Sequence, residues 1–221
     1  GLLPRDLAPG RPYVEREEHA PPWHDEAALW LQHALVRPAW RALGADRRQA
    51  QRVVALAAAA GPALRRLDDD ALRAQARALR LDLRRSRFGP QATAQCFALV
   101  REAAGRVLNK RHHDSQVHAG WLLICGTLAE MATGEGKTFA ATLPACAAAL
   151  AGLPVHVVTV NDYLAARDAE AMGPLYRFFG LRCAAVVHAL DRGQRRQVYA
   201  QDVVYCSNKE LTFDYLRDRS A

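Results

Sequence analysis

No two of the five cysteines (Cys96, Cys125, Cys146, Cys183, Cys206) lie within twenty residues of each other. An odd number with no C-x-x-C pair excludes a disulfide scaffold and argues against a zinc ribbon, so a reducing cytosol is the simplest compartment. Glycine (14) and proline (11) are too few for a collagen-like or wholly disordered chain of 221 residues. Half the residues are apolar, enough to bury the surface that offsets chain entropy in one or two domains. The first residue is Gly1, and no charged stretch leads into an apolar one. No secretory leader is read, and the start is expected to be missing or trimmed. Charge is absent between Lys137 and Asp162, a span long enough to cross a bilayer. Pro144, Gly152, Pro154 and His156 interrupt it. The pattern predicts instead a buried helix from Phe139 to Leu150, a turn at Gly152–Pro154 and a buried strand from Val155 to Val160, with no transmembrane segment.

Lysine is scarce as well: arginine supplies 27 of the 30 basic residues, and the net charge is +7. Residues 46–110 carry a balance of +8 and the remainder −1, so the basic character belongs to a helical front half. Such arginines suit phosphate or anionic-lipid contacts, although genome composition explains a general Arg bias as simply. Residues 1–22 hold five prolines without apolar period and predict a coil or strand-like arm; a helix-like stretch follows from Asp25 to Leu43. Together, residues 1–45 form an extension with no assigned function. Asp46 predicts an N-cap for a helix stopping at Gly61-Pro62. The acidic run Asp68-Asp69-Asp70 opens a second helix to about Phe88, with the apolar seam Leu72, Ala76, Leu79, Leu83. Beside that seam, Arg73, Arg77, Arg80, Arg84 and Arg87 form a stripe, read as an anionic-partner surface or, more simply, as a solvated face. Gly89-Pro90 breaks the chain before a third helix from Gln91 to about Lys110.

After residue 110 short apolar runs alternate with helices, the signature of an α/β fold. Trp121–Cys125 reads as an apolar segment and Leu128–Met131 as a short strand; the sequence MATGEGKT follows. Gly134 and Gly136 let a loop turn successive N–H groups toward phosphate oxygens. Lys137 would set its ammonium between the β- and γ-phosphates, Thr138 would offer its hydroxyl to Mg²⁺, and a new helix N-terminus would add its dipole. The generic P-loop has Gly where this chain has Met131. Downstream, Asn161-Asp162 caps a helix from Tyr163 to about Phe179, Cys183–Val187 is a strand, Asp191–Tyr199 a basic helix and Asp202–Cys206 a strand, with a last helix from Ser207.

The segment AEMATGEGKTFAATLPACAAALAGLPVHVVTVNDYLAARDAE (Ala129–Glu170) closely resembles the SecA family, ATP-driven motors of bacterial preprotein translocation. LDDDALRAQARALR, REAAGRVLNKRHHDSQ, MGPLYRFFGL and NKELTFDYLRD extend the likeness from about Leu67 to Asp218. SecA loops carry Met at the position of Met131. The resemblance implies an incomplete RecA-like P-loop domain (111–221), a parallel sheet with helices on both faces, preceded by the basic helical segment (46–110). It implies ATP and Mg²⁺ as cofactors and a nucleotide site of Gln116, which would read the adenine edge, with Thr133, Gly134, Glu135, Gly136, Lys137 and Thr138. TVNDYLAARDAE and SNKELTFDYLRD resemble the family's coupling segments. Ala132, His113, Ser115 and Cys206-Ser207 depart from the family pattern.

Also implied are a preprotein and the SecYEG translocon as partners of the intact protein, a possible anionic lipid surface, no role for nucleic acid, and a cytoplasmic location at the inner membrane. Phosphoryl transfer needs a carboxylate to hold Mg²⁺ and another to orient water. Asp202 precedes a strand, Asp168, Glu170, Asp214 and Asp218 lie in helices, and Asp191 sits beyond its apolar run. No catalytic carboxylate is therefore assigned in this chain, and negligible turnover is expected of it alone. Two rival readings are a DEAD-type nucleic-acid-dependent helicase, whose P-T-R-E-L-like segment is here T-V-N-D-Y-L, and a non-hydrolysing SecA-like docking module.

Overall fold

Ala50, Val53, Ala57 and Leu64 recur at helical spacing and are all buried, which makes one face of helix α1 (Ala45–Arg65) part of the core. The computed structural model describes residues 45–220; the proline-rich arm and the stretch from Asp25 to Leu43 lie outside them. α1 is already under way at Asp46 and runs through Gly61–Pro62 instead of stopping there. Pro62 and Ala58 both face solvent, so the carbonyl that loses its partner can bind water, while burial of Leu64 holds the last turn.

Helix α2 (Asp69–Arg85) begins where the acidic cluster predicts: the Asp68 carboxylate accepts the Ala71 N–H at 2.7 Å, and Leu72, Ala76, Leu79 and Leu83 are its buried seam. The arginine stripe is not uniform. Arg73 donates from Nε to the Phe178 carbonyl at 2.9 Å, with its guanidinium 4.6 Å above the Phe178 ring. Arg77, Arg80 and Arg84 are exposed, and Arg87 lies beyond the helix end at a φ of 49°. Helix α3 (Pro90–Val107) starts with Pro90 in its first turn and is buried along most of its length.

The next segment corrects the strand reading. Trp121–Ile124 is the end of helix α4 (Asp114–Ile124), which carries Val117 and Trp121 into the core at helical spacing. Leu128–Met131 is irregular rather than a strand, and Leu128 is 91 % exposed. A parallel strand exists only through bonds to a neighbour, and no described residue pairs with this stretch. The glycine loop is thus entered from an irregular stretch and left through helix α5 (Lys137–Leu150).

Strand β1 (Val155–Thr159), helix α6 (Asp162–Phe178), strand β2 (Cys183–Ala185), helix α7 (Arg192–Tyr199), strand β3 (Val203–Ser207) and helix α8 (Asn208–Ser220) follow within a residue or two of expectation. The sheet is parallel with order β1-β3-β2; Val155 pairs with Val203, Thr159 with Ser207, and Cys183 with Val203. Every residue of central β3 is buried. Val203 and Tyr205 face the large core shared with α1–α6, where the Tyr176 and Tyr205 hydroxyls meet at 3.0 Å. Val204 and Cys206 face a smaller cluster with Val198, Tyr199 and Leu211 of α7 and α8. Helices therefore cover both faces, as expected of this α/β class.

Candidate functional site

Gly134 and Gly136 adopt φ values of 90° and 78°, the left-handed region that other residues resist, and so turn the chain from the irregular stretch into α5. The first bond of α5 runs from the Ala140 N–H to the Gly136 carbonyl at 2.9 Å. The amides of Lys137, Thr138 and Phe139 precede it and have no acceptor inside the helix, which is the anion-binding geometry of a helix start. Space beside Gly134 is open. The loop also closes on itself: the Glu135 carboxylate accepts the Ala132 N–H at 2.8 Å, and the Lys137 ammonium donates to the Ala132 carbonyl at 3.0 Å. Lys137, Glu135 and Thr133 are all exposed, so these contacts can exchange for a ligand's oxygens.

Gln116 is brought against this loop. Its Nε2 donates to the Glu135 carbonyl at 2.8 Å, and its Oε1 accepts the His113 N–H at 2.9 Å, closing a capping box at the start of α4. Beside it lies a cavity of about 810 Å³, lined by Leu108, Lys110, His113, Gln116, Phe139 and Met172 among others. Mostly apolar walls with a few polar groups suit a planar organic ligand. Behind the cavity, His112 stacks on Phe139 with ring centroids 3.8 Å apart, and its Nε2 lies 3.0 Å from both the Phe139 carbonyl and the Thr142 hydroxyl. Burial pushes its pKa down to about 4, so the ring is neutral and Nε2–H donates to that carbonyl.

The Thr138 hydroxyl lies 3.2 Å from Asp168 Oδ2, on the buried side of α6. Arg167 grips the other oxygen, Oδ1, through Nε at 2.9 Å and Nη2 at 2.7 Å. The seven expected site residues thus converge at one end of α5, joined by Asp168, Arg167 and His112, which sequence reasoning left without a role. The signal for Asp168 was a carboxylate on the apolar seam that also holds Ala165, Leu175 and Tyr176. His112 offered no such signal.

The chemistry of the donors fits a polyphosphate: free helix-start amides, an exposed ammonium and open space at Gly134. A magnesium ion would find the Thr138 hydroxyl oxygen here. Among the described residues no group of three metal-type side chains exists, so phosphate oxygens and water would supply most of its ligands.

The two segments likened to coupling elements meet at the carboxyl ends of the strands. Ser207 Oγ donates to Asp162 Oδ1 at 2.7 Å, and Asp162 Oδ2 accepts the His188 N–H at 2.8 Å. The Ser207 bond, then that amide, hold the Asp162 pKa below its ordinary value. Arg195 lies between Glu210, at 2.6 Å, and Asp214, at 2.8 Å, and also donates to the Val187, His188 and Leu190 carbonyls. Asp191 is accounted for as the N-cap of α7, and Asp202 accepts the Arg182 N–H at 2.7 Å.

Residues 39–221 match the family model described as the SecA DEAD-like domain. The chain is 46 % identical over 217 residues to the protein translocase subunit SecA 2 of Bordetella avium, covering 96 % of this chain and 32 % of that protein. It is 53 % identical over 157 residues to the protein translocase subunit SecA of Beijerinckia indica, covering 71 % of this chain and 16 % of the other. With the SecA of Acidobacterium capsulatum the identity is 60 % over 124 residues, 56 % of this chain and 12 % of that protein. The chain spans about a third or less of the length of these relatives. On the fold, the glycine loop and these matches together, the chain belongs to the SecA family and carries its DEAD-like domain.

Proposed function

We propose that this chain supplies the ATP-binding part of a motor that couples ATP hydrolysis to movement of preproteins across the bacterial inner membrane. One observation carries the reading: Gly134 and Gly136 deliver Lys137, Thr138 and the free amides of α5 to the edge of a cavity large enough for a nucleoside. Bound Mg²⁺-ATP would supply an activated phosphoanhydride whose cleavage drives the motor. The chain's own residues do the binding. Lys137 exchanges the Ala132 carbonyl for phosphate oxygens, Glu135 releases the Ala132 N–H, and the amides of Lys137 and Thr138 take the anionic tail. Phe139, Met172 and Leu108 line the space for the base, with the Gln116 amide at its edge. Thr138 would hold the metal through its hydroxyl oxygen.

Within this reading, residues 1–45 are an extension, 46–110 a basic helical lead-in and 111–221 part of the first nucleotide-binding domain. The intact protein would engage a preprotein and the SecYEG translocon from the cytoplasmic side, and the exposed Arg77, Arg80 and Arg84 would favour an anionic lipid surface. No described helix is long and apolar enough to cross a membrane. Nucleic acid is disfavoured at the strand ends, because the starts of α6 and α8 already carry the chain's own Asp162 and Glu210 carboxylates.

A fluorescent ADP analogue titrated into wild type and Lys137→Ala tests the site. Saturable binding by wild type, lost in the variant, is expected; equal binding by both removes the assignment. Steady phosphate release above background by the purified 221-residue chain would contradict its expected lack of turnover.

A further inference from the structure

We propose that Asp168 is a positioning residue for Thr138, fixing the hydroxyl so that its oxygen lone pairs face the metal of a bound nucleotide. The inference rests on the nucleotide-site reading above and extends it to a residue thirty positions away in sequence, on a different helix.

An ionised carboxylate only accepts hydrogen bonds, whereas a threonine hydroxyl has one proton and two lone pairs. At the 3.2 Å contact the proton therefore belongs on the Thr138–Asp168 line, and both lone pairs are left for other partners. Asp168 cannot easily turn away. It is 6 % exposed, and Arg167 fixes Oδ1 through two donors. Oδ2 is directed at Thr138. A carboxylate on the buried seam of a helix is costly unless paired, and Arg167 alone would pair it equally well from the solvent side. The inward placement at the base of α5 is what the Thr138 contact explains. Accepting the hydroxyl proton also enriches the oxygen that would meet a cation, the usual effect of an outer partner on a ligand.

Asp168→Asn changes the sense of this contact. Arg167 still demands an acceptor, so the amide oxygen stays with it and the amide NH₂ faces Thr138. The hydroxyl must then accept, and its proton swings toward the place a cation would take. Removal of an outer partner of this kind typically weakens metal affinity by about 10- to 100-fold.

The test measures affinity for a fluorescent ADP analogue with excess Mg²⁺ and again with EDTA, on the 221-residue chain. Wild type should bind more tightly with Mg²⁺. Asp168→Asn should lose most of that gain, a drop of about ten-fold, while its EDTA affinity stays at the wild-type value. Asp168→Glu keeps the charge and Arg167 but displaces the acceptor; it should lose the Mg²⁺ gain too, and it serves if the asparagine variant does not fold. In a Thr138→Ala background neither substitution should change anything further. Full Mg²⁺ tightening in both variants overturns the proposal, and so does an equal loss with Mg²⁺ and with EDTA, which would mark a purely structural carboxylate. Lys137→Ala separates the two levels: if it binds as wild type does, the nucleotide site itself falls and this proposal with it. If it fails to bind while Asp168→Asn keeps its Mg²⁺ gain, only the role of Asp168 falls.

Discussion

The Gln116 side-chain amide links the start of α4 to the glycine loop, donating to the Glu135 carbonyl at 2.8 Å while accepting the His113 N–H at 2.9 Å. A Cβ added to Gly136 would lie 2.6 Å from Gln116 Nε2, at a φ of 78°. Gly136→Ala therefore meets two obstacles, a left-handed backbone costing roughly 1–2 kcal/mol and the amide itself. Nucleotide affinity should fall about ten-fold, since roughly 1.4 kcal/mol corresponds to that factor. Gln116→Ala in the same chain should relieve the clash but not the backbone strain. Gly134→Ala, with open space around it, should suffer only the backbone part. Equal affinity for wild type and Gly136→Ala would show that the loop does not hold the ligand in this shape.

Helices whose signals are local were legible in the sequence. The Asp68 cap and the four-residue seam of α2 sit where periodicity puts them, and Asn161 caps α6 through the Leu164 N–H at 2.8 Å. Leu128–Met131 reads as a strand, and Trp121–Cys125 only as an apolar segment, because a short apolar run does not by itself fix its conformation; its neighbours decide. Val117 and Trp121 packed as a helix, and Leu128 had no strand beside it. At the site, the glycines, Lys137 and Thr138 announce themselves by spacing. Gln116 enters only through the family likeness, and Asp168, set aside as a metal ligand because it lies in a helix, has a partner on another helix that no local pattern reveals.

His112 should make stability fall as the solution is acidified. Its folded pKa, about 4, lies below the ordinary 6.5 because burial penalises the imidazolium. Between those values the unfolded chain takes up a proton that the folded chain refuses, so stability decreases as pH drops through the window and levels off below it. The full effect is about 3 kcal/mol. Asp162, a carboxylate held below its ordinary value, loses its contribution as the pH falls through the ordinary carboxylate range, at the acid end of this window and below it. Urea midpoints between about pH 7 and pH 4 should shift less in His112→Phe, which keeps a ring against Phe139 but cannot titrate. An identical slope in both proteins would assign the acid sensitivity elsewhere.

Arg195 should be among the most costly side chains to remove. It neutralises Glu210 and Asp214 together and also satisfies three carbonyls between β2 and α7. Arg195→Leu takes the buried guanidinium from Glu210 and leaves Asp214 with the more exposed Arg217 alone, a loss of about 3–5 kcal/mol for a buried pair broken from one side. Arg217→Leu, whose partner Asp214 keeps Arg195, should cost well under half as much. Denaturant unfolding of the two variants provides the comparison, and similar small losses in both would show that α7 and α8 are held by their apolar contacts alone.

The free side of β1 is the place where the 221-residue chain should associate with itself. Among the described residues β1 pairs only with β3, so one row of its backbone groups has no strand partner. Val158 on that strand and Val160 just beyond it are exposed, the latter by 82 %, and Leu128 adds a third apolar side chain on the surface. An apolar strand edge of this sort recruits another edge unless a charge or proline blocks it, and the nearest charged residue after Val155 is Asp162. Sedimentation velocity should show species larger than a monomer that grow with concentration, and Val158→Lys should shift them toward monomer without lowering the urea midpoint. A monodisperse monomer at every concentration, or association indifferent to the lysine, would mean that the edge is already covered.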